Sequence, residues 1–318
     1  MITKGKVEYI FRRSRQKVWH FIEDSYRTSF QDIQRENCVN SKEIRVLGLR
    51  RSGNHAIINW IRSQLPKNTV FINHTRVREN PYRNVYEDQL FLSRNPQLKG
   101  WRCEDIDWWK KEAKGHFSPK DCLIYSFEDQ EIAQVAHHSF EKMHDIYLGQ
   151  SSERFDVIVI RDPFNLFASR LQGNKPRANA RNFDLMNVYS RHHNLPELWV
   201  TYAKECLNET TFLRHNKVVI NYNQWFSDCD YRQQIADLLG LTFSDAGFTE
   251  VVRAGGIGSS FDGINFNNDA ASMDVLNRWK RFEENPFFLD LLKTPELVEY
   301  SVRLFGHLPE IDKLLELL

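Results

Sequence analysis

Two stretches of the chain combine turn-forming residues with guanidinium groups in a way that suits a bound anion. The first is Gly48-Leu-Arg-Arg-Ser-Gly-Asn-His55, which follows an apolar run beginning at Ile44. Its glycines stand five residues apart, so the backbone can curl and aim its N–H groups at an oxyanion where a helix begins. Arg50 and Arg51 bring positive charge, and Ser52, Gly53, Asn54 and His55 complete the loop. The second stretch is Arg161-Asp-Pro-Phe-Asn-Leu-Phe-Ala-Ser169. Pro163 suits the first turn of a helix, where its missing N–H would be unpaired in any case. Arg161 then closes a strand and Ser169 follows about two helical turns later. Both can reach one oxyanion, with the guanidinium giving a forked, charge-assisted contact.

Each stretch alone also has a plainer reading. The first can be a tight strand–helix turn with two solvated arginines, and the second can pair Arg161 with Asp162. The residues after the second glycine narrow the choice of anion. A nucleoside-triphosphate loop continues with Lys and then Ser or Thr, the lysine for the phosphates and the hydroxyl for Mg²⁺. Asn54 and His55 stand there instead, so the magnesium ligand is missing.

The elements that must hold these loops are short apolar runs alternating with helical stretches, the mark of a parallel sheet covered on both faces. Strands are expected at Ile44–Leu49, Thr69–Asn73, Leu123–Phe127, Asp156–Ile160 and Lys217–Asn221. The fourth, Asp-Val-Ile-Val-Ile, is too short and too β-branched to favour a helix. Helices are expected at Ala56–Leu65 and Glu197–Leu207. The fold class that follows is α/β, a P-loop-NTPase-like three-layer sandwich with a central parallel sheet of about five strands. The expected layout is a helical N-terminal extension over residues 1–40 and a single α/β domain over 41–318. Ligands of such sheets sit at the carboxyl ends of the strands, where both stretches lie.

Composition excludes little and points to an ordinary globular enzyme: 41% hydrophobic, 27% charged, net charge +1 over 318 residues. That balance gives no general reason to expect nucleic acid or a membrane as partner. The basic tract Phe11–Lys17 reads as a solvated helix face. No stretch approaches the roughly 20 apolar residues of a membrane span. Five scattered cysteines without metal-ligand spacing read as free thiols in a reducing, cytoplasmic setting.

Taken together, the loops resemble those of the PAPS-dependent sulfotransferases (PAPS, 3′-phosphoadenosine-5′-phosphosulfate). Arg51-Ser52-Gly53-Asn54-His55 is similar to that family's Lys-Ser-Gly-Thr-Thr phosphosulfate loop. Arg161 and Ser169 match its 3′-phosphate arginine and the serine eight residues on. Arg253-Ala-Gly255-Gly-Ile-Gly258-Ser259 is similar to its late Arg-Lys-Gly-x-x-Gly. Val218–Tyr222, Trp199–Ala203 and Arg278-Trp279 fit the same scheme, with Tyr222 on the adenine side. The resemblance implies binding of PAPS and its product PAP (adenosine 3′,5′-bisphosphate), no metal, and a divergent member nearer the bacterial enzymes of natural-product biosynthesis. Departures are clear: the loop lysine is Arg51, both threonines are replaced, and Ala56 takes the place of the usual tryptophan.

Sulfuryl transfer then needs positioning and a fixed cation at the leaving group, a role for Arg51. It also needs a base for the acceptor. Glu128, at the carboxyl end of the third strand, is the first candidate, with Asp129 alongside as a like charge that opposes ionisation. His74 is the second, and His55 and His116 follow. Trp101, Trp108 and Trp109, interleaved with Glu104, Asp105 and Asp107, form either an acidic aromatic wall for a cationic acceptor or, on the preference of aromatics for burial, a packed helix. The expected partner is a small-molecule acceptor, with no nucleic acid and no membrane; a homodimer is allowed. A P-loop kinase using ATP with magnesium and a non-catalytic nucleotide-binding module are the competing readings.

Overall fold

The computed structural model describes residues 15, 18–29, 38–73, 75–98, 100–174, 186–248, 259, 261–262, 265–266, 269–308, 312 and 316. Five strands form one parallel sheet: β1 (Asn40–Gly48), β2 (Thr69–Ile72), β3 (Lys120–Glu128), β4 (Ser151–Ile160) and β5 (Val218–Asn221). Their spatial order is β2-β3-β1-β4-β5, and every pairing is parallel. The fold is therefore the expected α/β sandwich. The strands run longer than the apolar runs alone suggest at the amino ends of β1, β3 and β4, where Glu43, Lys120 and Ser151 join the ladders as polar residues.

A first helix, α1, covers residues 18–29. It is followed by α2 (Asn54–Ser63), α3 (Pro81–Arg94), α4 (Ile106–Ala113), α5 (Ile132–Val135), α6 (His138–Leu148), α7 (Pro163–Asn174), α8 (Leu195–Cys206), α9 (Tyr222–Ser227), α10 (Cys229–Leu238), α11 (Pro286–Leu292) and α12 (Pro295–Phe305). Side-chain alternation along the strands divides the core in two. Leu47, Tyr125, Phe127, Ile158 and Ile160 face a layer built by α3 to α8, α11 and α12. Ile44, Val46, Ile124, Val157 and Val159 face α2, α9 and α10.

This division fixes where a ligand can lie. The helix after β1 packs on one face of the sheet and the helix after β4 on the other, and those two strands are neighbours. Their connections leave in opposite directions, opening a crevice beyond their carboxyl ends, the switch point of an open sheet. Trp109 is buried and Trp108 partly so, both packed on Tyr82, which is the packed-helix reading of that segment. All five cysteines are free. No helix among the described residues is long and apolar enough to cross a membrane.

Candidate active site

The loop between β1 and α2 forms one wall of the crevice. Arg51 and Gly53 both take left-handed backbone angles, with φ of 74° and 92°. Gly53 also lies close against a neighbour: a Cβ there would lie 2.1 Å from the Tyr222 ring. At Gly48 a Cβ would strike the Asn54 side chain at the same distance. Helix α2 starts from Gly53 with no side-chain cap, so its leading amides are presented to whatever fills the crevice.

Arg161, at the tip of β4, forms the opposite wall and reaches across. It is buried, donates from Nη1 to the Arg51 carbonyl at 3.2 Å and from Nη2 to the Val275 carbonyl, and lies 4.9 Å over the Tyr222 ring. Its backbone carbonyl accepts from Trp199 Nε1 at 2.8 Å. The two loops singled out by residue type thus touch, although 110 residues separate them.

A second buried guanidinium joins this one. Arg278, in the short turn Arg278–Arg281, donates from Nη2 to Ser259 Oγ and to Asp262 Oδ2, both at 2.9 Å. Burial and the nearby Arg161 cation pull its pKa down to about 10, against the attraction of Asp262. The Nε–H groups of both arginines are buried with no hydrogen-bond partner among the described residues. Two like charges held together out of water, each with a donor left over, suit an anion that neutralises both. Sequence pattern brought Arg278 in only beside Trp279; what it missed is the ion pair to Asp262 that turns the guanidinium inward.

The remaining expected residues fall as follows. Arg50 is turned away from the crevice. Its backbone N–H donates to Asp129 Oδ1 at 2.8 Å, its Nε to Asp129 Oδ2, and its Nη2 to the Asn187 carbonyl. Arg170 clasps the same carboxylate, with Nη1 at 3.0 Å from Oδ2. Asp129 is consequently a buried counter-ion for two arginines and not an uncompensated charge beside Glu128. Glu128 is buried at the end of β3, where Asn54 Nδ2 donates to its Oε1 at 3.0 Å and His55 Nε2 lies 3.8 Å away. This places a carboxylate and an imidazole at the foot of the loop. Ser169 is buried in α7, and Ser259 touches Arg278. His116 is exposed just past α4. His74, Arg253, Gly255 and Gly258 lie outside the described residues.

A cavity of about 700 Å³ adjoins the tip of β3. Gln130 and Glu131, which directly follow Asp129, line it together with Arg78, Arg83, Tyr189 and His192. Tyr189 also sits 5.4 Å under the Arg50 guanidinium, so the cavity and the Arg50–Asp129 clasp share a wall.

No protein-family model matches the chain, and no curated protein matches it in sequence. Among solved structures, mouse sulfotransferase SULT7A1 complexed with PAP is similar at 11% identity and a TM-score of 0.42. The match covers 89% of this chain and 92% of that one. A likeness of that degree decides nothing about the crevice, whose chemistry rests on its own side chains.

Proposed function

We propose that this chain is a sulfotransferase that moves the sulfuryl group of PAPS to a hydroxyl or amine of a small acceptor, by in-line displacement without a metal. The observation that carries this reading is the buried Arg161–Arg278 pair facing an uncapped helix start across one crevice. In this reading the guanidinium pair, from β4 and a late turn, and the helix start, from the β1–α2 loop, take the two charged ends of one ligand. A nucleoside bisphosphate carries charge on both its 3′ and 5′ sides, whereas a nucleoside triphosphate gathers its phosphates at one end.

In this reading the 5′-phosphosulfate lies on the backbone and side chains of Arg51, Ser52, Gly53, Asn54 and His55. The 3′-phosphate lies between Arg161 and Arg278, with Ser259 and Ser169 at its edge, and Tyr222 borders the adenine. Bound there, PAPS supplies a sulfuryl group already joined to a phosphate leaving group. Arg51 holds the charge that develops on that phosphate and donates no proton, because guanidinium stays protonated. The acceptor O–H or N–H gives its proton to the Glu128–His55 pair as its oxygen or nitrogen bonds to sulfur.

Thermal-shift titration with adenosine 3′,5′-bisphosphate in EDTA, beside ATP with magnesium, tests the proposal. A specific ligand at a hundred times its Kd stabilises the native state by about 2.7 kcal/mol. Stabilisation by ATP with magnesium and none by the bisphosphate would replace a sulfotransferase with a kinase.

A further inference from the structure

Helix α1 has its polarity reversed. Val18, Trp19, Phe21, Ile22 and Tyr26 are between 53% and 72% exposed. At 3.6 residues per turn, Val18, Trp19, Ile22 and Tyr26 fall within an arc of about 100°, with Phe21 flanking it. The opposite side of the helix is polar and faces the protein. Arg27 is buried and donates to the carbonyls of Ala113, at 3.2 Å, and Ile146. Asp24 accepts from Arg83 Nη1 at 3.2 Å and from the Tyr147 hydroxyl at 2.9 Å. His20 pairs with Glu87 at 2.6 Å. Those bonds fix the rotation of the helix, so its apolar side is held outward.

Residues 1–17 carry six basic side chains, Lys4, Lys6, Arg12, Arg13, Arg15 and Lys17, against one acid, Glu8. Arg15 is exposed. An outward apolar helix face rich in aromatic residues, preceded in the sequence by a basic tract, combines the two contributions that hold a helix in the plane of an anionic lipid surface. Neither contribution is visible in the net charge of +1, which averages the tract away.

We infer that α1 docks this protein on an anionic lipid bilayer, with Trp19 and Ile22 at the centre of the contact. A second copy of the chain fits the same face less well. A helix of twelve residues is roughly 18 Å long and about 10 Å across. Its footprint is therefore well short of the ~800 Å² per partner that a stable interface buries. The inference does not depend on what the crevice binds.

The test is co-sedimentation of the full chain with vesicles of phosphatidylcholine alone or of equimolar phosphatidylcholine and phosphatidylglycerol. The expected result is binding to the mixed vesicles only, weakening as salt is raised. Trp19→Glu combined with Ile22→Glu should lower the bound fraction roughly tenfold or more while leaving Tm unchanged. A milder variant, Trp19→Ser, keeps the test valid if the double variant unfolds. Absence of sedimentation with the mixed vesicles, or sedimentation that both variants leave intact, overturns the inference. So does a wild-type dimer in sedimentation equilibrium that either variant dissociates.

Discussion

Arg161 and Arg278 are both buried, and the Arg161 cation, together with burial, lowers the pKa of Arg278 to about 10. One comes from the tip of β4 and the other from a turn more than a hundred residues later, so only the folded chain brings them together. An anion between them relieves the repulsion, and that sets the first expectation. Arg161→Ala and Arg278→Ala should each weaken adenosine 3′,5′-bisphosphate roughly 10- to 100-fold, the worth of one charge-assisted contact. Isothermal titration reads this directly. Unchanged affinity in both variants would mean that the pocket serves the fold and not the ligand.

Glu128→Gln keeps the size of the side chain and an oxygen that can accept from Asn54, but it cannot take a proton. Turnover should fall by about 10²- to 10⁴-fold, while binding of the bisphosphate stays as in the wild type. Single-turnover sulfation with radiolabelled donor separates the two. A fully active Glu128→Gln would move the proton-accepting role to another group, with His55 first in line.

Gly53 meets two independent constraints, a φ of 92° and a Tyr222 ring where its Cβ would be. Gly53→Ala should therefore cost about 1–3 kcal/mol of stability, read by urea denaturation, and should abolish the ligand-induced thermal shift. Adding Tyr222→Ala removes the collision but not the backbone strain. Recovery in the double variant should then be partial; a Gly53→Ala protein with normal stability would contradict the loop geometry.

Stability should also depend on pH through a cluster at the other end of β1. Glu43 accepts from His144 Nε2 and Tyr125 Oη, both at 2.8 Å. Burial works against the charged form of His144, but attraction to Glu43 prevails and raises its pKa to about 8 from an ordinary 6.5. A folded-state pKa above the unfolded one gives stability that is complete below about pH 6.5 and lost as pH rises through about 8. The loss amounts to about 2 kcal/mol. Glu43 is itself burdened by burial, yet the charge of His144 brings its pKa down to about 2. Its contribution is thus present above the ordinary carboxylate range and disappears in strong acid. Urea denaturation of the wild type and of His144→Gln, at about pH 6 and about pH 8.5, checks the upper window. The variant should lose most of the difference between the two.

The sequence by itself determined the sheet. Val157–Ile160 is β-branched throughout, and Ile44, Val46 and Leu47 are apolar around a single charged residue, Arg45; runs so short and so rich in β-branched residues favour a buried strand over a helix. The same local logic located the two loops, because a left-handed turn needs glycine at Gly53 and a helix start tolerates Pro163. The roles of individual charges were decided by the tertiary structure. Arg50 and Arg51 are neighbours of one residue type, yet Arg50 is committed to the buried Asp129, while the Arg51 carbonyl meets Arg161. Residue type and spacing cannot tell them apart, since the difference lies in which partner the strand order β2-β3-β1-β4-β5 sets beside each. Arg278 and the outward face of α1 follow the same rule: a guanidinium or a tryptophan has a meaning only once the surface facing it exists. Local conformational preference is written along the chain, whereas pairing and burial are relations between distant parts of it.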